Sequence, residues 1–388
     1  MKLNLFCLTS TVVLAVTSVG LAQPTLKDAF KDRFLVGVAL NESQFTSSNG
    51  MEATLVKKQF NSITPENVLK WESIHPEPGR FNFDPADRFV TFGEHNHMFT
   101  IGHTLVWHHQ TPDWVFRGPN GKPVDRATLL NCMSNHIQTV VGRYKGRVKG
   151  WDVVNEALDE DGTLRPSPWL KIIGPEFLVK AYQFAHDADP EAELYYNDYA
   201  LENPAKCAGA VALVKQLQAA GIHLVAVGVQ EHAHLDWPTA KQVSDTITAF
   251  SRLGVKVSIT ELDVDVLPAA GAGTGADVGL KVAQNPALNP YTNGLPKSVQ
   301  QALARRYAEL FAVYVKHHAD MERVTFWGVA DGGSWLNNWP VKGRTNYPLL
   351  FDREDKPKPA YASVLETARQ IKTTRRSTVD ESISLNQP

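Results

Sequence analysis

Two glutamates in this 388-residue chain sit where chemistry is expected. Glu156 closes the segment WDVVNE (151–156), and Glu261 lies in ITELD (259–263). Each segment runs an apolar, β-prone stretch directly into a carboxylate, the pattern of a buried strand that ends in a charged tip. A pair of carboxyl groups about 5–5.5 Å apart is the minimum equipment for cutting a glycosidic bond with retention. One attacks the anomeric carbon, and the other protonates the departing oxygen. The two must differ in protonation at the same pH, so their surroundings must push them apart. The sequence offers a reason for such a split. His232 and Asp263 are placed to hold Glu261 ionised, whereas Glu156 has Asn155 beside it and no basic residue nearby in sequence.

Groups this far apart in sequence need a scaffold that gathers strand ends. Short β-rich runs recur near 34–40, 62–65, 98–106, 148–155, 193–197, 224–230, 256–260 and 324–329. Amphipathic stretches fill the gaps, among them 127–142, 175–187, 204–220, 238–253 and 299–317, several with Pro near the first turn. Eight strands alternating with helices predict the α/β class, as a single-domain (β/α)8 TIM barrel whose functional groups gather at the carboxyl ends of its strands. No Gly-rich phosphate loop follows any strand. Further polar and aromatic residues fall at the predicted strand ends: Glu66, Asn67 and Lys70, then His103 and Trp107, then Asn197 and Tyr199, then Gln230 and His232, and finally Trp327 and Trp335. Amides, Lys and carboxylates make the directional hydrogen bonds a polyhydroxylated ligand requires, and flat indoles cover its C–H faces.

Composition narrows the partners. Charged residues make up 21% and the formal net charge is −2, which points to neither nucleic acid nor an anionic membrane. Lys2, an apolar run over 12–19 and small residues at 20–22 read as a secretory signal over 1–22, which implies a secreted protein, extracellular or periplasmic, with no membrane attachment after cleavage. The mature domain is expected over 23–372, followed by a polar, disordered tail at 373–388. Cys132 and Cys207 remain after the signal, and whether they pair is left open. His103, His108 and His109 cluster without the motif of a metal hydrolase, so no metal and no cofactor are expected. A monomer is expected. Residues 268–296 interrupt the strand–helix rhythm after the seventh strand, either to shape a cleft or as a tolerated insertion.

From about residue 26 to 367 the chain resembles the family 10 glycoside hydrolases, endo-β-1,4-xylanases of the TIM-barrel retaining clan. The motifs that carry the resemblance are TPENVLKW (64–71), GHTLVWH (102–108), WDVVNEA (151–157), YYNDY (195–199), GVQEH (228–232), ITELD (259–263) and FWGVADGGSW (326–335). The resemblance implies that Glu156 is the acid/base and Glu261 the nucleophile, oriented by His232 and Asp263. It implies sugar contacts from Glu66, Asn67, Lys70, His103, Trp107, Asn155, Gln230 and Trp335, with Arg344 of the following loop as a further candidate. Xylan and xylo-oligosaccharides are the expected substrates. No carbohydrate-binding module or linker is legible, and the 268–296 loop leaves the outer leaving-group side unassigned.

Overall fold

The computed structural model describes residues 24–47, 50–271 and 276–369; the expected signal and polar tail lie outside them. Nine parallel strands are present among these residues: β1 (Leu35–Leu40), β2 (Ser62–Pro65), β3 (Phe99–Val106), β4 (Gly150–Asn155), β5 (Glu193–Asp198), β6 (Ala226–Val229), β7 (His232–His234), β8 (Lys256–Asp265) and β9 (Met321–Phe326). Eight of them close a barrel. β6 pairs with β8 through Ala226 and Lys256, and β9 returns to β1 through Arg323 and Leu35. β7 is a short spur paired only along the far end of β8. The strands are buried almost throughout, as expected when helices cover one face of a parallel sheet and barrel side chains fill the other.

The helices start where local chemistry allows. Asp125 accepts a hydrogen bond from the Thr128 N–H to cap Arg126–Arg143, and Asn203 does the same from Ala205 ahead of Pro204–Ala219. Thr239 and Gln242 form a reciprocal capping box on Ala240–Ser251. Inside the barrel, the Arg323 guanidinium lies 4.3 Å from the centre of the Tyr195 ring. The Trp151 indole fills the space beside Gly102 so closely that an added Cβ would sit 2.1 Å from it, so only glycine fits there. The barrel is a packed core with its opening at the carboxyl end.

Several predicted strands differ in their bounds from the observed ones; the eighth, expected over 324–329, runs over Met321–Phe326, so Trp327 follows it. The sixth, expected over 224–230, ends at Val229, because Glu231 takes a left-handed backbone (φ 57°) before β7 begins. The seventh, expected to end at Thr260, continues to Asp265 because β7 lies alongside it, pairing His232 with Asp263. Glu261 therefore lies within a strand. Glu156 follows β4 directly, in a left-handed conformation of its own (φ 55°).

The described parts of 268–296 wrap over the barrel mouth. The Trp339 indole donates to the Asp277 carbonyl at 3.0 Å, Val282 N–H donates to the Pro340 carbonyl, and Tyr347 donates to the Tyr291 carbonyl. Ala276 and Val278 reach the site, so the segment shapes the cleft. Cys132 and Cys207 are both free thiols.

Candidate active site

A cavity of about 140 Å³ opens at the carboxyl end of the barrel. Every site residue expected from the sequence lines it except Asn197, Asp263, Tyr199 and Arg344. Glu156 is buried and held by neutral donors: Trp107 Nε1 to Oε2 at 2.8 Å, and Gln230 Nε2 and Asn155 Nδ2 to Oε1 at 3.0 and 3.1 Å. Burial is the main influence on this carboxyl, and the nearby charges of Asp198 and Glu261 add to it. Together they outweigh the donors and push Glu156 up to about 7.

Glu261 is equally buried and meets the opposite environment. His232 Nε2 lies 3.2 Å from Oε2, and Asn197 Nδ2 donates to Oε1 at 2.8 Å. Burial alone would raise this carboxyl, but the His232 hydrogen bond, the charges of His103 and His232, and the Asn197 amide outweigh it and hold Glu261 below the usual value. His232 is in turn gripped through Nδ1 by Asp263 Oδ1 at 3.1 Å. Burial works against its charge, yet the two carboxylates push the imidazole up to about 10. Trp335 Nε1 donates to the other Asp263 oxygen at 2.7 Å, so Asp263 acts from behind His232 without reaching the cavity. Asn197 Nδ2 also donates to Asn155 Oδ1, and Thr260 donates to Asn197 Oδ1 at 2.6 Å. This amide chain ties the two glutamates into one rigid array.

On one flank, Lys70 Nζ donates to Asn67 Oδ1 at 3.1 Å and sits 5.0 Å from the Trp107 ring centre. Burial lowers Lys70 against the pull of Glu261, Glu66 and Glu156, and burial raises Glu66. His103 Nδ1 meets Asp152 at 2.9 Å, which fixes the ring where it and Trp327 line the cavity. Trp335 stacks on Trp339 with ring centres 4.5 Å apart.

Two expected contacts fall elsewhere. Arg344 is buried, paired with Asp265 at 3.4 Å and donating to the Trp339 carbonyl at 2.7 Å; its charge is spent on holding the mouth loops and not on the cavity. Tyr199 lines a second cavity of about 840 Å³ that adjoins the first along His232 and Ala276. Its hydroxyl accepts from Arg165 at 2.8 Å, and Lys206 Nζ lies 3.4 Å from its ring centre.

Sequence reasoning missed Gln110, whose Oε1 accepts from Lys70 at 2.8 Å, along with the supporting carboxylates Asp152 and Asp198. Gln110 follows GHTLVWH by two residues, and its position just past a strand end was the available signal.

The family model for glycosyl hydrolase family 10 matches residues 25–367. The chain belongs to that family. It is 46% identical to the endo-1,4-beta-xylanase A of Xylanibacter ruminicola over 94% of this chain and 99% of that protein. It is 41% identical to the beta-1,4-xylanase of Dictyoglomus thermophilum, over 89% and 92%. Among solved structures, a GH10 endoxylanase retrieved from a sugarcane soil metagenome superposes with a TM-score of 0.84 at 43% identity, covering 89% of this chain and 99% of that one. This family 10 chain is a glycoside hydrolase, and its barrel is the fold of its family 10 neighbours.

Proposed function

We propose that the protein is an exported endo-1,4-β-xylanase that cuts internal bonds of xylan with retention, as a monomeric domain over 23–372. The observation that carries this reading is two buried carboxyls in one small cavity with opposite surroundings, Glu156 among neutral donors and Glu261 against His232. The names of its relatives agree with xylan as the substrate.

Glu261 attacks the anomeric carbon, and the bond to the leaving oxygen breaks as that oxygen takes the proton from Glu156. Glu156, now ionised, removes a proton from water, whose oxygen displaces Glu261 from the anomeric carbon and regenerates both groups. His232 balances the Glu261 charge before attack and again on release, and the Asn197 amide orients the carboxylate. Glu66, Asn67, Lys70, His103, Trp107, Asn155, Gln230, Trp327 and Trp335 hold the sugar on the non-reducing side of the cut, and Tyr199 flanks the leaving group from the larger cavity.

Soluble xylan and carboxymethylcellulose, digested side by side and resolved by product size, test this reading. Short xylo-oligosaccharides from the wild type, and none from Glu261→Ala, are expected. Xylose lacks the C6 hydroxymethyl group, and a pocket that rejects it by shape discriminates only modestly. Slow release from the cellulose derivative is therefore compatible with the proposal, whereas release faster than from xylan would overturn it in favour of a β-1,4-glucanase.

A further inference from the structure

One segment of the barrel mouth touches both walls of the cleft. Strands β3 and β8 stand opposite one another in the closed barrel, with β2, β1 and β9 between them one way round and β4, β5 and β6 the other. The chain leaves β8 at Asp265, and by Asp277 it has reached the far wall, where Asp277 Oδ1 meets His109 Nε2 at 3.1 Å. His109 lies just past the end of β3 at Val106. The backbone then turns on the Asp277 side chain, whose Oδ1 also accepts from the Gly279 N–H at 2.8 Å. A Cβ added to Gly279 would lie 3.2 Å from His109 Cε1, so glycine lets the turn sit close against the imidazole. The chain returns to the loop after β9, where the Val282 N–H donates to the Pro340 carbonyl at 2.9 Å. Asp277 is held from this side as well, by the Trp339 indole on its carbonyl at 3.0 Å.

What lies beneath the crossing gives it a role. Ala276 and Val278, on either side of Asp277, line the cavity that holds Glu156 and Glu261. Ala276 and His232 are also the residues this cavity shares with the larger one on the leaving-group side. His232 belongs to the barrel and Ala276 to the crossing segment, so a sugar chain running from one cavity into the other passes between them, at the bond to be cut. An open cleft takes the interior of a long chain sideways. A bridged one takes it only after the bridge has moved, or by threading from an end, which is short work for a chain of a few sugars.

We propose that residues 276–278 form a strap over the cut bond, latched by His109 and Asp277, which a polymeric chain must displace and a short xylo-oligosaccharide passes beneath. His109 and Asp277 are then specificity-determining residues that favour short chains over the interior of long ones. The proposal rests on the reading of the site as a xylanase. The latch suits repeated opening. The His109 and Asp277 side chains are 30% and 45% exposed, and a pair this open to water shifts an equilibrium only a few-fold. Trp339 holds the Asp277 backbone, and Pro340 the Val282 backbone, so the strap stays attached on the β9 side when the His109 contact breaks.

The test compares kcat/KM on soluble xylan with kcat/KM on xylotetraose in wild type, His109→Ala, Asp277→Ala and the double variant. Each single variant is expected to raise the xylan-to-tetraose ratio roughly two- to fivefold, chiefly through the polymer. The double variant should go no further, because both substitutions remove the same contact. His109→Ala leaves the Asp277–Gly279 turn intact, so agreement between the two single variants separates the latch from the turn. An unchanged ratio, or equal losses on both substrates, overturns the proposal. Hydrogen exchange read by mass spectrometry supplies a measurement that needs no turnover: amides of 279–282 should exchange faster in either single variant than in wild type. Unchanged exchange in both overturns the latch, whatever the kinetics. A wild type that cuts neither substrate would strike the xylanase reading instead, and the exchange rates would still decide whether His109 and Asp277 hold the strap.

Discussion

Glu156, just past the end of β4, and Glu261, within β8, are the same residue facing the same cavity and prepared for opposite work. Glu156 and Glu261 are both buried and both accept amide hydrogen bonds. What separates them is charge. The charges that weigh most on Glu156 are carboxylates, Asp198 and Glu261, whereas Glu261 has His232 at hydrogen-bond distance with Asp263 behind it. Neutral donors alone do not hold a buried carboxyl ionised against burial and a like charge. One buried imidazole gripped by a second carboxylate does. The difference between acid and nucleophile is thus set by the neighbouring strands, not by the glutamates themselves.

Removing the proton-bearing group breaks the comparison hardest. Glu156→Gln is expected to lower kcat/KM by roughly 10²- to 10⁴-fold on xylan, with a smaller loss in the first step for substrates whose leaving group needs no proton. Stability moves the other way. A carboxyl whose folded value is about 7, raised from 4.5, contributes stability that is fully present below pH 4.5 and lost as pH rises through 7. Glu156→Gln removes that loss. It is expected to match wild type near pH 4 and to exceed it by up to about 3 kcal/mol at pH 8, read from denaturant midpoints at both pH values. Equal midpoint differences at the two pH values would mean that Glu156 is not protonated in the fold.

Taking the cation from beside β8 should make Glu261 resemble Glu156. His232→Asn leaves burial as the main influence on Glu261, so its carboxyl rises and the acid limb of the pH profile moves upward. In wild type, Glu261 is held below 4.5, so the stability it contributes is present above pH 4.5 and lost only as pH falls through the lower folded value. In the variant the sign reverses, and the protein gains stability on mild acidification. A loss of roughly 10- to 100-fold in kcat/KM at the optimum is expected, smaller than for Glu156, because the nucleophile remains in place. An acid limb that stays put would show that His103 and Asn197 suffice to keep Glu261 ionised.

Much of this contrast was readable from sequence, for a physical reason. Along a strand, residues two apart share a side, so Glu261 and Asp263, both within β8, declare their company in the letters. The barrel was legible because parallel strands buried on both faces read as unbroken apolar runs between helices. Asp198 was not assigned its effect on Glu156 because it acts across strands, where no local spacing records it. Arg344 was misplaced for a related reason. An arginine in a mouth loop suits a sugar ligand or a carboxylate equally well, and only the packing of Asp265 beneath it decides. The extension of β8 past Glu261 depends on β7, a three-residue spur too short to carry a period.

The finest adjustment lies in one hydrogen bond. Trp107 Nε1 donates to Glu156 Oε2 at 2.8 Å, and a donor to a carboxylate favours its ionised form, so the indole pulls Glu156 down against burial. Trp107→Phe keeps an aromatic face beside Lys70 while deleting the N–H. Glu156 should then hold its proton to higher pH, moving the alkaline limb of kcat/KM up by roughly half a unit and leaving the acid limb, which belongs to Glu261, unchanged. The loss at the optimum should be only several-fold, since the acid is intact. Movement of both limbs together would mean that the two carboxyls titrate as one coupled pair through the Asn155–Asn197 chain. An alkaline limb that moves down would mean that the indole bonds the protonated acid in preference to the anion, and that the neutral donors around Glu156 help to keep it an acid.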